Sequence, residues 1–159
     1  MYTPPEDAKK ILKFIPKEWV IYECCWGDGT MATAFRDEGY TVVGGKDIDF
    51  FTHDSPFVND LSEYDVVITN PPFNNNKDFL RKAIETKKPF AFLCRIEHLG
   101  GVSAYDLFKD LTIQIVIPEK RINYITPKVR EGIQVAGSPF HSCWITYGLQ
   151  LEKDILYIK

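Results

Sequence analysis

The feature that most constrains this chain is a short apolar run that stops at two prolines. Residues 64–68 (YDVVI) are rich in β-branched side chains and predict a buried strand, and Asn70, Pro71, Pro72 and Phe73 follow closely. Because proline fixes φ and has no N–H group, the backbone at the two prolines can only accept hydrogen bonds. With the Asn70 side-chain oxygen and the flat Phe73 ring, these acceptors suit a planar molecule that carries an exocyclic amine. A strand that merely ends at prolines before a polar loop would also produce this pattern.

Along the rest of the chain, short strand patterns alternate with helical ones. Helix patterns occur at 4–15, 30–38, 77–85 and 103–106, and strand patterns at 19–22, 40–44, 90–94, 112–117, 142–149 and 155–158. Thr3 and Glu6 predict a capping box for the first helix, and residues 118–140 predict irregular structure. The alternation predicts an α/β fold with a mostly parallel sheet and helices on both faces.

Composition sets limits on the class of protein. A length of 159 residues predicts one domain, and a formal net charge of -3 gives no overall electrostatic footprint for nucleic acid. The four cysteines have no CxxC spacing, which indicates neither a zinc site nor a disulfide framework. We therefore expect reduced thiols in a cytoplasmic protein without a bound metal. No apolar run approaches transmembrane length.

Glu23, Gly27 and Gly29 lie between a predicted strand and a predicted helix. Glycines in such a turn let a ligand approach the backbone closely, and the following helix N-terminus favours anionic groups. A plain strand-to-helix turn that needs glycine would look the same. The turn lacks the third glycine of the dinucleotide fingerprint, which disfavours NAD as its ligand.

Acidic residues follow the next predicted strands. Asp47 lies at the end of the second strand, where an acid about 20 residues beyond such a loop can accept hydrogen bonds from both ribose hydroxyls. Asp49 competes for this role. Asp60 lies in the loop that follows, where a carboxylate could accept a hydrogen bond from an adenine amine. Each acid could also be a solvated loop residue, but Glu23, Asp47 and Asp60 all lie at or just beyond strand carboxyl ends, where one ligand could touch all three.

The chain resembles the S-adenosylmethionine-dependent amino-methyltransferases, and most closely the adenine-N6 DNA methyltransferases, especially short phage-type members. The resemblance runs from residue 2 to about residue 147 and rests on five motifs in order: Tyr2-Thr3-Pro4, Glu23-xxx-Gly27-x-Gly29, Asp47-Ile48-Asp49, Asp60 and Asn70-Pro71-Pro72-Phe73. It implies a Rossmann-like class I methyltransferase fold with an antiparallel strand near residues 142–149. It also implies a site-specific adenine-N6 DNA methyltransferase that uses S-adenosylmethionine, in the host cytoplasm if the protein is phage-encoded.

The resemblance assigns cofactor roles to seven residues. Thr3 and Glu23 would hold the methionine end of S-adenosylmethionine, with the loop from Gly27 to Gly29 beneath it. Asp47 would bind the ribose, Ile48 would pack on the cofactor adenine, and Asp60 would bind the amine of that adenine. Cys24-Cys25-Trp26 stand where the family has small residues, so Trp26 could crowd the cofactor site or line it.

The same resemblance makes Asn70-Pro71-Pro72-Phe73 the catalytic segment. Asn70 and the Pro71 carbonyl would accept the protons of the target amine, and Phe73 would stack on the target base. Phe140 is the best match for a second aromatic residue that clamps the flipped base, and Tyr124 is the next best. For both aromatics, simple packing in the core is the slightly favoured explanation.

Several functional alternatives stay open at this stage. The target could be adenine in RNA or a glutamine amide in a protein, or the chain could be a catalytically silent cofactor-binding module that acts through a partner. The 1–159 segment predicts no separate target-recognition domain, so a homodimer or a protein partner could extend the substrate wall. The basic residues Lys120, Arg121, Lys128 and Arg130 could contact phosphates or form a solvated loop.

Overall fold

The sheet is the framework that positions the strand ends predicted to carry function. The computed structural model describes residues 1–46, 49–52, 64–134 and 136–159. Within these residues, seven strands form one sheet in the order β2-β1-β3-β4-β6-β5-β7. The strands are β1 (Ile21–Tyr22), β2 (Val42–Val43), β3 (Val66–Thr69), β4 (Phe90–Arg95), β5 (Ile113–Pro118), β6 (Ser142–Tyr147) and β7 (Ile155–Ile158).

One strand of this sheet runs against the others. β1 pairs in parallel with β2 and β3, β3 with β4, and β5 with β7. β6 lies between β4 and β5 and is antiparallel to both, with Arg95 of β4 opposite Ser142 of β6. The predicted mostly parallel sheet and the predicted antiparallel strand near residues 142–149 are both confirmed.

Helices cover both faces of the sheet, as the alternating pattern predicts. They are α1 (Pro5–Ala8), α2 (Thr30–Asp37), α3 (Asn76–Glu85), α4 (Val102–Phe108) and α5 (Pro127–Arg130), with 3-10 segments at Lys9–Phe14 and Ile96–Leu99. In β3, Val66 and Ile68 join a core cluster that contains Phe35 of α2, whereas Val67 joins the cluster that contains Leu80 of α3. Because both faces are buried, Val66, Val67 and Ile68 of β3 are all apolar, and only the last residue, Thr69, is polar.

Two local predictions are wrong. The first helix begins at Pro5 after an extended Pro4, and no side chain caps it, so Thr3 and Glu6 form no capping box. Thr3 is buried instead, and its hydroxyl accepts a hydrogen bond from Asn70. The segment predicted to be irregular contains the short helix α5, whose N-cap is Thr126. No helix among the described residues is long and apolar enough to cross a membrane.

Candidate functional site

The carboxyl ends of β1 and β3 lie side by side and open onto a cavity of about 610 Å³. Glu23 directly follows β1, and Asn70 directly follows β3. The described residues that line the cavity include seven of the predicted site residues, namely Thr3, Glu23, Gly27, Asn70, Pro71, Pro72 and Phe73. This volume is within the usual range for small-molecule sites.

Glu23 is a buried acid at the base of this cavity. Only 2% of the residue is exposed, and its Oε1 accepts hydrogen bonds from the Cys25 backbone N–H, at 2.8 Å, and from the Thr69 hydroxyl. Burial raises the pKa of Glu23 to about 7, although the hydrogen bonds from Thr69 and Cys25 oppose the rise. The carboxyl group therefore changes charge near neutral pH.

Asn70 and Pro71 present two hydrogen-bond acceptors at the end of β3. The Asn70 side-chain Nδ2 donates to the Thr3 hydroxyl at 3.0 Å, while its Oδ1 is buried and has no hydrogen-bond partner among the described residues. No donor in that part of the chain reaches the Pro71 carbonyl either. Buried polar atoms without a partner are uncommon in native proteins, so Asn70 Oδ1 is suited to bind a donor from a ligand, and the Pro71 carbonyl can accept a second donor.

The two predicted glycines are required by backbone conformation and packing. Gly27 has φ +56°, and a Cβ at this position would lie 2.9 Å from Cε1 of the Tyr2 ring. Gly29 has φ +80° and is the N-cap of α2. A side chain at either residue would be strained, because L-amino acids seldom adopt this left-handed region. Gly27 lines the cavity, and Gly29 holds the loop to the helix behind it.

Trp26 forms part of the cavity wall. Gly44, which follows β2, makes room for it, because a Cβ on Gly44 would lie 3.0 Å from the Trp26 ring and 2.4 Å from the Glu23 carbonyl oxygen. The Arg36 guanidinium also contacts Trp26, with its central carbon 5.2 Å from the centroid of the Trp26 ring. Our sequence analysis did not single out Gly44, although a glycine at a strand end is a recognisable signal for close packing.

The N-terminal segment and the 118–140 segment are attached to the glycine loop. Tyr2 and Ile125 exchange two backbone hydrogen bonds of 2.8 Å. Arg130 forms an ion pair with Asp28, and its guanidinium lies 4.4 Å from the Tyr2 ring centroid. Desolvation by burial acts to raise the pKa of Asp28. Hydrogen bonds from Thr30 and Arg130 outweigh this effect and hold the pKa of Asp28 below its ordinary value. Arg130, a candidate for phosphate contact from sequence, is thus paired within the protein.

The three predicted base-binding aromatics come together. Ring centroids of Phe73 and Phe140 are 5.4 Å apart, those of Phe73 and Tyr124 are 6.1 Å apart, and both pairs are nearly perpendicular. The Tyr124 hydroxyl is 2.7 Å from the Ser142 hydroxyl. Tyr124 and Phe140 are buried in the core, so packing accounts for both positions, and their contact with a substrate stays a prediction.

Arg95 adds a cation that the sequence reasoning missed. Its guanidinium carbon lies 4.4 Å from the Phe73 centroid and 4.1 Å from the Phe140 centroid. Arg95 and the two aromatics Tyr124 and Phe140 also line a second cavity of about 930 Å³. A charged residue at the end of an otherwise apolar strand, 90–95, was the available signal.

The predicted acids that follow β2 are not seen in contact with the cavity. Asp47, Ile48 and Asp60 lie outside the described residues. Asp49, the competitor of Asp47, accepts a hydrogen bond from the Phe51 N–H at 2.9 Å and is exposed. All four cysteines are free, and no group of three or more metal-ligating side chains occurs in the described part of the chain.

Comparison with solved structures identifies the fold. The chain is similar to a Listeria monocytogenes protein whose assignment as a class I S-adenosylmethionine-dependent methyltransferase is provisional, with a TM-score of 0.52 and 14% sequence identity. The match covers 98% of this chain and 64% of that chain, so this chain spans less than two thirds of that protein's length.

A second solved structure, of a provisionally assigned methyltransferase from Thermoplasma acidophilum, has a TM-score of 0.38 and 15% identity over 87% of this chain and 60% of that chain. This weaker similarity adds no argument. No protein-family model and no curated protein matches the chain. Strand order and the first similarity together show that the chain has the Rossmann-like fold of the class I methyltransferases.

Proposed function

We propose that this chain is an S-adenosylmethionine-dependent methyltransferase that methylates the exocyclic N6 amine of adenine in DNA. The observation that carries the proposal is a pair of acceptors without a partner among the described residues, Asn70 Oδ1 and the Pro71 carbonyl, on two residues that line the cavity. An exocyclic amine has two protons to donate, and these two oxygens match it. The fold and the sequence motifs agree with this chemistry.

The two acceptors would also activate the amine. The lone pair of an adenine amine is conjugated into the ring, which makes the nitrogen a poor nucleophile. Acceptors fixed on its protons draw the nitrogen towards tetrahedral geometry and localise the lone pair. Because Thr3 and the adjoining prolines hold the acceptors in place before the substrate arrives, little reorganisation is needed during the reaction.

The residues that line the cavity suit the methionine portion of S-adenosylmethionine. Bound there, this cofactor would supply an electrophilic methyl group on a sulfonium sulfur. Glu23 would accept hydrogen bonds from the ammonium group of the methionine portion, and this cation would stabilise the carboxylate form, which burial disfavours by raising the pKa of Glu23. Gly27 presents a backbone without a side chain to the same space. Asp47, Ile48 and Asp60 would complete the contacts.

Phe73 would provide the stacking surface for the target base. The ring is half-buried, and it adjoins both the first cavity and the cluster with Tyr124 and Phe140. A base inside a duplex must leave the stack to reach this position, which costs a few kcal/mol. Aromatic stacking of about 1–3 kcal/mol per base can offset part of that cost.

The experiment is transfer of tritium from methyl-labelled S-adenosylmethionine to separate pools of DNA, RNA and protein. The wild-type chain should label DNA, and Asn70→Ala should not. Asn74→Ala is the matched control, because Asn74 lies in the same loop and is exposed. Labelling of RNA or of protein glutamine instead of DNA would refute the substrate assignment. No labelling of any pool would refute the proposed activity and leave a silent cofactor-binding module.

A further inference from the structure

Arg95 is a cation without a counter-ion at the edge of the candidate site. Among the described residues no carboxylate lies within 4.0 Å of its guanidinium, and its Nε is buried without a hydrogen-bond partner. Contact with the faces of Phe73 and Phe140 stabilises the charge only in part. A buried N–H donor that lacks an acceptor costs free energy, which an anionic ligand would recover.

Sheet pairing fixes the backbone position of Arg95. Arg95 is the last residue of β4 and pairs with Ser142 of β6. The next N–H, of Ile96, donates to the His141 carbonyl at 3.0 Å. Since Phe140 directly precedes this paired segment, the ladder brings its ring next to the arginine. The position of Arg95 relative to the two rings therefore follows from sheet pairing rather than from a free loop.

The cavity beside Arg95 favours an anion. Among the described residues that line this cavity of about 930 Å³ are two cations, Arg95 and Lys128, and none of these lining residues is acidic. Neutral side chains that can form hydrogen bonds also line it, among them Asn123, Gln134 and Ser138. The Phe73 and Phe140 rings join this cavity to the acceptors at Asn70.

We propose that Arg95 binds a phosphate group of the target nucleotide, next to the base that stacks on Phe73. The proposal rests on the proposed function and deepens it, because a phosphate site favours a nucleic acid over a protein amide as the substrate. A guanidinium group presents planar donors that match two phosphate oxygens, and this match is geometrically specific.

Binding of a fluorescein-labelled single-stranded oligonucleotide that contains one adenine, measured by fluorescence anisotropy without cofactor, tests the site. Arg95→Met should raise Kd about 10-fold or more, the scale of a charged hydrogen bond, and Arg95→Lys should restore part of the affinity. Arg81→Met is the matched control, since Arg81 is exposed on α3 and pairs with Asp78. This control removes the same charge and should change Kd by less than about 2-fold.

A second arm identifies the ligand atom as a phosphate. Two strands each carry one neutral methylphosphonate, on the 5′ or the 3′ side of the adenine. The wild-type chain should lose affinity for one of these strands, and Arg95→Met should lose nothing further on that strand. Equal losses for the wild type and Arg95→Met on both strands would overturn the proposal. The proposal would also be overturned if Arg95→Met bound the unmodified oligonucleotide with the Kd of the wild type, or if Arg81→Met lost as much affinity as Arg95→Met. Absence of binding by the wild type would overturn it as well.

The two proposals fail separately in these measurements. Because binding is measured without cofactor, a chain that transfers no methyl group can still show the loss in Arg95→Met. Conversely, a chain that methylates DNA with an unchanged Kd in Arg95→Met keeps its proposed activity and has no phosphate site at Arg95. Thermal unfolding of each variant tests whether it is folded, and Arg95→Lys keeps the positive charge at this position.

Discussion

The side-chain amide of Asn70 donates a hydrogen bond of 3.0 Å to the hydroxyl of Thr3, which lies 67 positions earlier in the chain. This contact uses the nitrogen of the amide, so the oxygen is the atom left for a substrate. It also explains why Thr3 does not cap the first helix. The N-terminal segment therefore orients a residue of the proposed catalytic segment.

Thr3 should act as a positioning residue for Asn70. Thr3→Val removes the acceptor while keeping the size and shape of the side chain, so the amide loses its fixed orientation. We expect the single-turnover rate of methyl transfer to fall about 10-fold, the upper range for one neutral hydrogen bond. Thr3→Ser keeps the hydroxyl and should retain most of the rate. Equal rates in the Val and Ser variants would show that the hydroxyl orients nothing.

The buried carboxyl of Glu23 should make stability depend on pH. Its pKa of about 7 in the folded chain exceeds the ordinary value of 4.5, so the folded state binds the proton more tightly. This contribution favours folding below pH 4.5 and is lost as pH rises from there through about 7. Urea unfolding at pH 5 and pH 8 should show a decline, relative to Glu23→Gln, of roughly 3 kcal/mol. An equal pH dependence in both proteins would contradict the assignment.

Cofactor affinity should also depend on the protonation of Glu23. It should rise with pH, whereas the contribution of Glu23 to stability falls with pH. An ammonium group beside Glu23 favours the carboxylate, so binding releases a proton and the affinity for S-adenosylmethionine should rise as pH increases through about 7. Calorimetry in two buffers of different ionisation enthalpy measures that proton release. Glu23→Gln should bind more weakly and release no proton in this range. A wild-type affinity that stays constant between pH 6 and 8 would argue against contact with Glu23.

Two glycine-to-alanine substitutions distinguish the cost of a steric clash from the cost of backbone strain. Gly27→Ala combines a left-handed φ with a contact of 2.9 Å to the Tyr2 ring, whereas Gly132→Ala has φ +77° and nothing within 4 Å of the new Cβ. We expect Gly132→Ala to lower the free energy of unfolding by about 1 kcal/mol and Gly27→Ala to lower it by more. Urea denaturation measures both. Equal losses would show that Tyr2 moves aside at no cost.

Much of this fold can be predicted from sequence, because local and tertiary preferences agree. The apolar run at β3 predicts a strand buried on both faces, and the sheet buries it in that way. The start of the first helix could not be found from local pattern, because Asn70 binds the hydroxyl that would have capped it. The short helix α5 was missed although Thr126 and Pro127 carry a typical helix-start signal.

The site was predictable where the residue type itself carries the chemistry. Glu23, Asn70 and Phe73 line one cavity, as their positions after strands predict. The contact of Arg95 with Phe73 and Phe140 depends on pairing between β4 and β6, which no short motif encodes. The roles of Asp47, Ile48 and Asp60 stay predictions.

The central claim is that Asn70 activates the N6 amine of adenine, and the most direct measurement is the nucleoside product. DNA incubated with the chain and S-adenosylmethionine is digested to nucleosides and analysed by mass spectrometry, with cofactor affinity measured in parallel by calorimetry. The wild type should yield N6-methyldeoxyadenosine. Asn70→Ala should bind the cofactor with similar affinity and reduce the yield by roughly 100-fold or more, the scale for losing one preorganised polar group. Undiminished N6-methyldeoxyadenosine from Asn70→Ala, or none from the wild type, would contradict the claim.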